Sequence, residues 1–425
     1  MKRLARQVAT GQGIRVARHL LGMRRVGRAR HALFAVVTTS RRERRQAHGK
    51  ARNKASESLR YSCHGAGRAG SARSGAQLPV MRRLIPALLA PGIIAVALDR
   101  LGAASGVVLF VLAAAALLPL AWLIGEATDQ AAQYTGPGIG GLLNASFGNA
   151  PELIIALVAV SHGLPDIVRA SLAGSIIGNL LVVLGFTLLV APRGTLDRAS
   201  AFASLGTVAV AVLFLLIPSL AASGGNPDRH SLAVLSLPVA VALLTVRIFV
   251  DRWSLRRHRR IQAAADPVQT GGWSLRFAVG VLALATLVTA FVTETLVGSI
   301  DAFADAAHLS EFFVAAVIVA IAGNAAEHGS AVLLAARGQL RLAAEISLAS
   351  SAQVAGFLIP VVALLSWAID PLALSFRAVE LIGMAGATIA AALVLAPRTS
   401  SRAGGALLLG VYVVVAASFY MAGDR

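Results

Sequence analysis

Cysteine is almost absent from this chain: Cys63 is the only one in 425 residues. A single thiol excludes an intrachain disulfide framework and a cysteine-based metal site. Charge is scarce too, at 14% of residues against 56% hydrophobic. That balance is too apolar for a soluble protein of this length and is that of a polytopic helical membrane protein. Lysine does not occur after residue 80. Residues 81–425 carry 20 arginines and 18 acids, a net of +2, whereas residues 1–80 carry 19 Lys plus Arg against Glu43 and Glu57, a net of +17. The pI near 11.6 therefore describes the tail. The near-neutral body carries no basic surface for a nucleic-acid partner, and none is expected.

The tail also lacks an apolar run long enough to span a bilayer. Its clusters, such as Arg24-Arg25 and Arg41-Arg42-Glu43-Arg44-Arg45, cannot bury enough apolar surface to offset ordering entropy, so residues 1–80 are expected to be disordered. A basic arm for anionic lipid or nucleic acid is one reading, and an Arg-rich targeting peptide is another. The abrupt change of composition favours a third, in which translation begins at Met81 and Arg82-Arg83 lead straight into the membrane.

From Met81 the chain divides into eleven apolar segments, at about 84–99, 103–127, 138–161, 167–191, 199–221, 231–250, 275–299, 310–336, 342–368, 376–396 and 404–422. Backbone polar groups must be satisfied internally in lipid, so these are predicted to be helices. Loop charge tests the count. With the Met81 end inside, the inner segments hold fifteen arginines (82, 83, 193, 198, 247, 252, 256, 257, 259, 260, 276, 337, 341, 398, 402). The outer ones hold five (100, 169, 229, 377, 425). This asymmetry fits the positive-inside rule, with the carboxyl end outside. The expected organisation is therefore helix 1 and a first repeat over 81–250, a basic linker over 251–273, and a second repeat over 274–425. The linker, with Arg256-Arg257-His258-Arg259-Arg260, reads as a positive-inside anchor rather than a regulatory lipid patch.

Within the apolar segments arginine is missing from every midpoint, yet glutamate is present. The third segment contains GLLNASFGNAPELIIALVAV, with Gly148, Asn149 and Glu152. The eighth contains VIVAIAGNAAEHGSAVLLAA, with Gly323, Asn324 and Glu327. The offset is 175 residues (323 − 148), and Gly174-Ser175 and Ala349-Ser350 keep it. The two segments are five helices apart and so run in opposite directions. An inverted repeat of this kind lets one site be reached from either side. An ionisable group at membrane depth is expensive, and no arginine is placed to neutralise these two. Residues three and four apart share a helix face, which groups Asn149 with Glu152, and Asn324 with Glu327 and His328. Small neighbours permit local unwinding that exposes carbonyls, and hard cations take that mixture of carboxylate, amide and carbonyl oxygens. Pro151 cannot donate to the carbonyl of Phe147, which is expected to turn free beside Glu152. Ser175, Asn179, Ser350, Ser351 and Gln353 on the fourth and ninth segments are candidate lining residues, by their repeated placement. Glu126 and Glu294 are candidates for an ion pathway, while His162 and His308 fall in loops and are expected to be solvated.

GLLNASFGNAPELIIAL resembles the first signature helix of the Ca2+/H+ exchanger family of the Ca2+/cation antiporter superfamily, and VAIAGNAAEHGSAVLLA resembles the second. PLAWLIGEATD and FVTETLVGSID resemble the segments that precede each, and the resemblance runs from about Leu84 to Tyr420. It implies an all-α membrane protein with an extra first helix and two inverted five-helix repeats. It implies a secondary transporter, not an enzyme, that exports Ca2+ against proton influx at Glu152 and Glu327, with Asn149, Asn324 and His328 close by. Ca2+ is then cargo, and no cofactor is expected. The bacterial inner membrane is the expected location, with Ca2+, protons and the bilayer as partners and no expectation for oligomeric state. The chain departs from the family pattern at Pro151, at Ala349 and in its basic linker. The alternatives are a Na+/H+ or K+/H+ exchanger on the same scaffold, an intramembrane acidic hydrolase, which would need no repeat, and a membrane adaptor acting through its tail.

Overall fold

The computed structural model describes residues 84–135, 140, 143, 147–191, 194, 196–223, 229–262, 272–397 and 401–423, without the side chains of 229 and 253–262. The basic tail, the proposed start at Met81, the beginning of the third expected segment and the middle of the linker lie outside these residues. Among the described residues the protein is helical, with no strand.

Helix α1 covers 84–100, and α2 follows over Gly106–Ala132. Helix α3 is Ala150–Ser161. Helix α4 runs Pro165–Val190 and is interrupted by a π turn at Asn179–Val183. Next come α5 (Arg198–Ser223), α6 (Arg229–Gln262) and α7 (Leu275–Gly298). A short α8, Ile300–Ala307, bends by 109° into α9, Glu311–Gly323, and α10 is Ala325–Ala336. The chain closes with α11 (Leu340–Ala368), α12 (Ala378–Leu395) and α13 (Arg402–Ala422).

Among the described residues, eight of these helices are long and apolar enough to cross a membrane. The first, third and eighth expected segments are not among the eight. Helix α1 has 17 residues between 84 and 100. The third and eighth segments, read from sequence as continuous, are interrupted at Asn149 and Asn324. The sixth segment departs in the other direction. Expected to end near 250, α6 continues to Gln262, so the linker begins as helix. Arginine is a good helix former, and no glycine or proline intervenes between Asp251 and Gln262. At 34 residues and about 1.5 Å per residue, α6 exceeds the ~30 Å of a hydrocarbon core.

The 175-residue offset extends from motif to backbone. Helix α3 maps onto α10 end for end (150–161 and 325–336). The first part of α4 maps onto that of α11 (165–178 and 340–353). The π turns coincide (179–183 and 354–358), as do the segments after them (184–190 and 359–365). The turns between keep the offset too: Gly163 has φ +71° and Gly338 φ +78°, a backbone conformation in which glycine carries no penalty.

Packing against α9 explains one departure from exact repetition. A Cβ on Gly174 would lie 1.9 Å from the carbonyl oxygen of Ala316, so α4 and α9 meet backbone to backbone there. Small residues allow such approach between membrane helices. Ala349, the counterpart of Gly174, is exposed and meets no such limit. Elsewhere α2 packs against α7, with Leu117, Leu120, Leu123 and Ile124 fully buried. These contacts hold the two motif-bearing breaks inside the bundle.

Candidate cation site at two helix breaks

Both copies of the motif break a helix at the same place. Asn149 precedes α3 with φ −108° and ψ 29°, and Asn324 precedes α10 with φ −90° and ψ 4°. Each asparagine carbonyl accepts the first bond of the new helix, from Leu153 N at 3.0 Å and from His328 N at 3.0 Å. Asparagine is a preferred N-cap because its side chain can accept from the first turn. Neither asparagine does so here. Both amides are thus left for another use, although each is only 1% exposed.

The breaks do not depend on proline. Pro151 is the second residue of α3, where a backbone N–H has no partner within the helix in any case. The second copy has Ala326 at this position and breaks identically. Proline is therefore not needed for the break, and the expectation that Pro151 frees the Phe147 carbonyl does not account for the second copy. Small residues with Asn149 and Asn324 at the junction accompany the break in both copies. Pro151→Ala should leave apparent cation affinity within about twofold of wild type, as for a substitution that removes no contact. Isothermal titration of the purified variant checks this, and a larger shift would show that the ring itself shapes the break.

The two halves meet at Glu152. Its side chain lies against the break of the other copy: a Cβ on Gly323 would be 3.4 Å from Glu152 Cγ and 3.8 Å from Cδ. Glu152 is 7% exposed, and Glu327, half-buried, stands within its electrostatic reach. Each glutamate is in the first turn of its helix, where the positive end of the backbone dipole favours carboxylate. Around them, Asn324 Nδ2 donates to Ser175 Oγ at 2.8 Å and to the Ala320 carbonyl at 3.1 Å. Asn179 Nδ2 donates to Ser350 Oγ at 3.0 Å, and Ser350 faces the Glu327 carboxylate. Helices α3, α4, α9, α10 and α11 thus supply one buried polar cluster.

Five buried oxygens of this cluster have no hydrogen-bond partner among the described residues: Asn149 Oδ1, Glu152 Oε2, Asn179 Oδ1, Asn324 Oδ1 and Glu327 Oε2. Carboxylate and amide oxygens are the ligands of hard cations, and Ca2+ takes six to eight at about 2.3–2.6 Å, water and carbonyls included. Among the described residues no three His, Cys, Asp or Glu side chains gather as a metal group. Any ion held here would rest on two carboxylates plus neutral oxygens.

Other expected site residues fall at varied distances from this centre. Phe147 and Gly148 are half-buried at the first break, and Gly323 is buried at the second. His328 is half-buried, and its Nε2 is buried without a partner. Ser351 is fully buried, but its hydroxyl bonds the Ser347 carbonyl at 3.0 Å, a helix-internal bond. Gln353 is half-buried just before the π turn of α11. Glu126 accepts from Gln130 at 2.8 Å, and Gln130 in turn accepts from Trp273 N at 3.1 Å. That network ties α2 to the end of the linker. Glu294 lies 3.2 Å from His162 Nε2, with both side chains substantially exposed. His162, expected to be merely solvated, therefore faces a carboxylate, whereas His308 is exposed. Ser347 went unnoticed in the sequence: its hydroxyl donates to the Asn179 carbonyl at 2.5 Å. Its counterpart at the same offset is Leu172, so the repeat gave no signal for it.

The family model for the sodium/calcium exchanger protein matches this chain twice, over residues 105–250 and 277–421. The chain belongs to the sodium/calcium exchanger family. Among curated members, a Ca(2+)/H(+) antiporter of Synechocystis is 33% identical over 335 residues, covering 73% of this chain and 90% of the relative. The Ca(2+)/H(+) antiporter ChaA of Bacillus subtilis is 33% identical over 355 residues, covering 80% of this chain and all of the relative. The solved structure of native YfkE matches with a TM-score of 0.67 at 31% identity, over 79% of this exchanger-family chain and 99% of YfkE. Each half of the match contains one of the two helix breaks.

Proposed function

We infer that this chain is a secondary transporter, not an enzyme, and that it exchanges Ca2+ for protons across a membrane. The observation that carries the reading is Glu152 resting on the break at Gly323, buried, with Glu327 within its electrostatic reach. Two carboxylates neutralise one divalent ion, or are neutralised by protons. An empty, doubly charged pair in this setting is costly. The same two groups serve both cargoes, so the cargoes exclude one another, and exclusion at a site reached alternately from the two sides is exchange. The similarity to Ca(2+)/H(+) antiporters over most of the chain supports Ca2+ as the cation. Glu152 and Glu327 are assigned as the transport carboxylates, with Asn149, Asn324 and His328 around them. Ser175, Asn179 and Ser350 line the site from α4 and α11.

The architecture proposed is eleven spans: the eight intact helices, α1, and the two broken spans that contain α3 and α9–α10. The repeats are proposed to be inverted, with Met81 and the basic linker inside and the carboxyl end outside, in the inner membrane of a bacterium. Under this topology Glu126 stands toward the inner face and Glu294, with His162, at the outer face. They are assigned as flanking groups of the pathway rather than ligands. A Na+/H+ or K+/H+ exchanger is the second reading on this scaffold. The test is cation-dependent dissipation of a pH gradient in everted vesicles containing the protein. Ca2+ should collapse the gradient at concentrations where Na+, K+ and Mg2+ do not. Collapse by Na+ or K+ alone would transfer the assignment to the monovalent class.

A further inference from the structure

The two half-sites share backbone but not hydrogen bonds, and one residue accounts for the difference. At the 175-residue offset, Asn149 pairs with Asn324, Ser175 with Ser350, and Asn179 with Val354. In the second half Asn324 donates to Ser175 at 2.8 Å. The repeat therefore calls for Asn149 to donate to Ser350. It does not: Ser350 accepts from Asn179 at 3.0 Å instead. Both polar atoms of the Asn149 amide are buried and without a partner among the described residues. The counterpart of Asn179 in the second repeat is Val354, which has nothing to donate. Asn179 is itself secured, since its carbonyl, at the start of the π turn, accepts from Ser347 at 2.5 Å. Because Ser350 Oγ accepts from an amide that only donates, its own proton is left for the Glu327 carboxylate that it faces.

We propose that Asn179 is a positioning residue that breaks the symmetry of the site: by occupying Ser350 it orients the hydroxyl toward Glu327 and leaves Asn149 unpinned. The inference rests on the cation-site reading above. The half-site of α10 is then preset, with its amide held by Ser175 and its carboxylate faced by Ser350. The half-site of α3 is the adaptable one. Its amide is free to turn its oxygen to an ion without first giving up a bond. An Asn149 whose Nδ2 was held by Ser350 would be fixed in orientation, as Asn324 is by Ser175, and could not turn as the half-site closed on the cation. Leaving one amide unbonded in a buried place is costly, and a ligand that arrives and leaves is what makes such an arrangement useful.

The test is a mutant cycle read as Ca2+ affinity, by isothermal titration of the purified full-length protein with CaCl2. Asn179→Val copies the second repeat and should let Asn149 take Ser350. Affinity should fall about tenfold, the scale of one net buried hydrogen bond. Ser350→Ala removes the partner for which the two amides compete. In that background Asn179→Val should change affinity by no more than about twofold, since residues acting through one partner are not additive. A loss that persists in the Ser350→Ala background would overturn the proposal, because Asn179 would then touch the ion directly or merely support the fold. If Asn179→Val does not yield folded protein, the reciprocal variant decides. Val354→Asn should draw Ser175 away from Asn324 and shift affinity, and Ser175→Ala should cancel that shift. No cancellation would count against the proposal as fully. Absence of Ca2+ binding by the wild type is a separate outcome, which would remove the functional reading itself.

Discussion

Glu152→Gln and Glu327→Gln should each abolish Ca2+-driven proton movement while leaving a folded protein. Glutamine keeps the size and most of the hydrogen bonding of glutamate, so the contacts with Gly323 and Ser350 can both be retained. What it removes is charge. A divalent cation facing one carboxylate leaves an unbalanced positive charge in the bundle, and uncompensated charge at membrane depth costs upward of about 2.5 kcal/mol. That corresponds to a loss of binding of roughly a hundredfold. The return step fails as well, because glutamine has no carboxylate to protonate and the variant carries fewer counter-protons. Flux in everted vesicles, with size-exclusion profiles as the folding control, decides the matter. Either variant exchanging at half the wild-type rate would remove that glutamate from the transport site.

The carboxylates were legible in the sequence because burial of an acid in an apolar run stands out against its surroundings, and because Gly148, Asn149 and Glu152 recur at a fixed offset. The helical character and the lengths of most spans followed from hydropathy, which the lipid imposes directly. The breaks at Asn149 and Asn324 were less legible. Hydropathy does not register a change of ψ at one residue, and Pro151 drew attention to a donor that the first turn of α3 would have lacked anyway. Gly163 and Gly338 were visible only in hindsight as a third repeated pair, since a glycine in a loop gives no sign of its φ. The π turns at 179–183 and 354–358 left no mark as turns, since apart from Asn179 they are built from ordinary apolar residues and glycine. The pairing of Glu294 with His162 joins residues 132 positions apart. It depends on α3 and α7 lying side by side, which a pattern along the chain does not report.

Lowering the pH should weaken apparent Ca2+ affinity, and Ca2+ should expel protons from the purified protein to the same extent. Both effects follow from a single shared pair of carboxylates, because linkage requires that whatever protons do to Ca2+ binding, Ca2+ does to proton binding. Metal ligands must be deprotonated, so a proton on Glu152 or Glu327 competes with the ion. The sign is fixed. Falling pH fills the pair with protons and opposes Ca2+, whereas rising pH empties it and favours Ca2+, up to the pH at which the free pair is already ionised. The slope counts the protons. If two leave per Ca2+, affinity changes about a hundredfold per pH unit in the range where the free pair is protonated, and if one leaves, about tenfold. Addition of CaCl2 to weakly buffered protein, followed with a pH indicator, measures the release. Titration calorimetry across pH measures the affinity. The two must agree, and each Gln variant should show at most one proton. Ca2+ binding that is independent of pH and releases no protons would leave the carboxylates as ligands but would end the exchange mechanism, because an ion that displaces no proton cannot be driven by one.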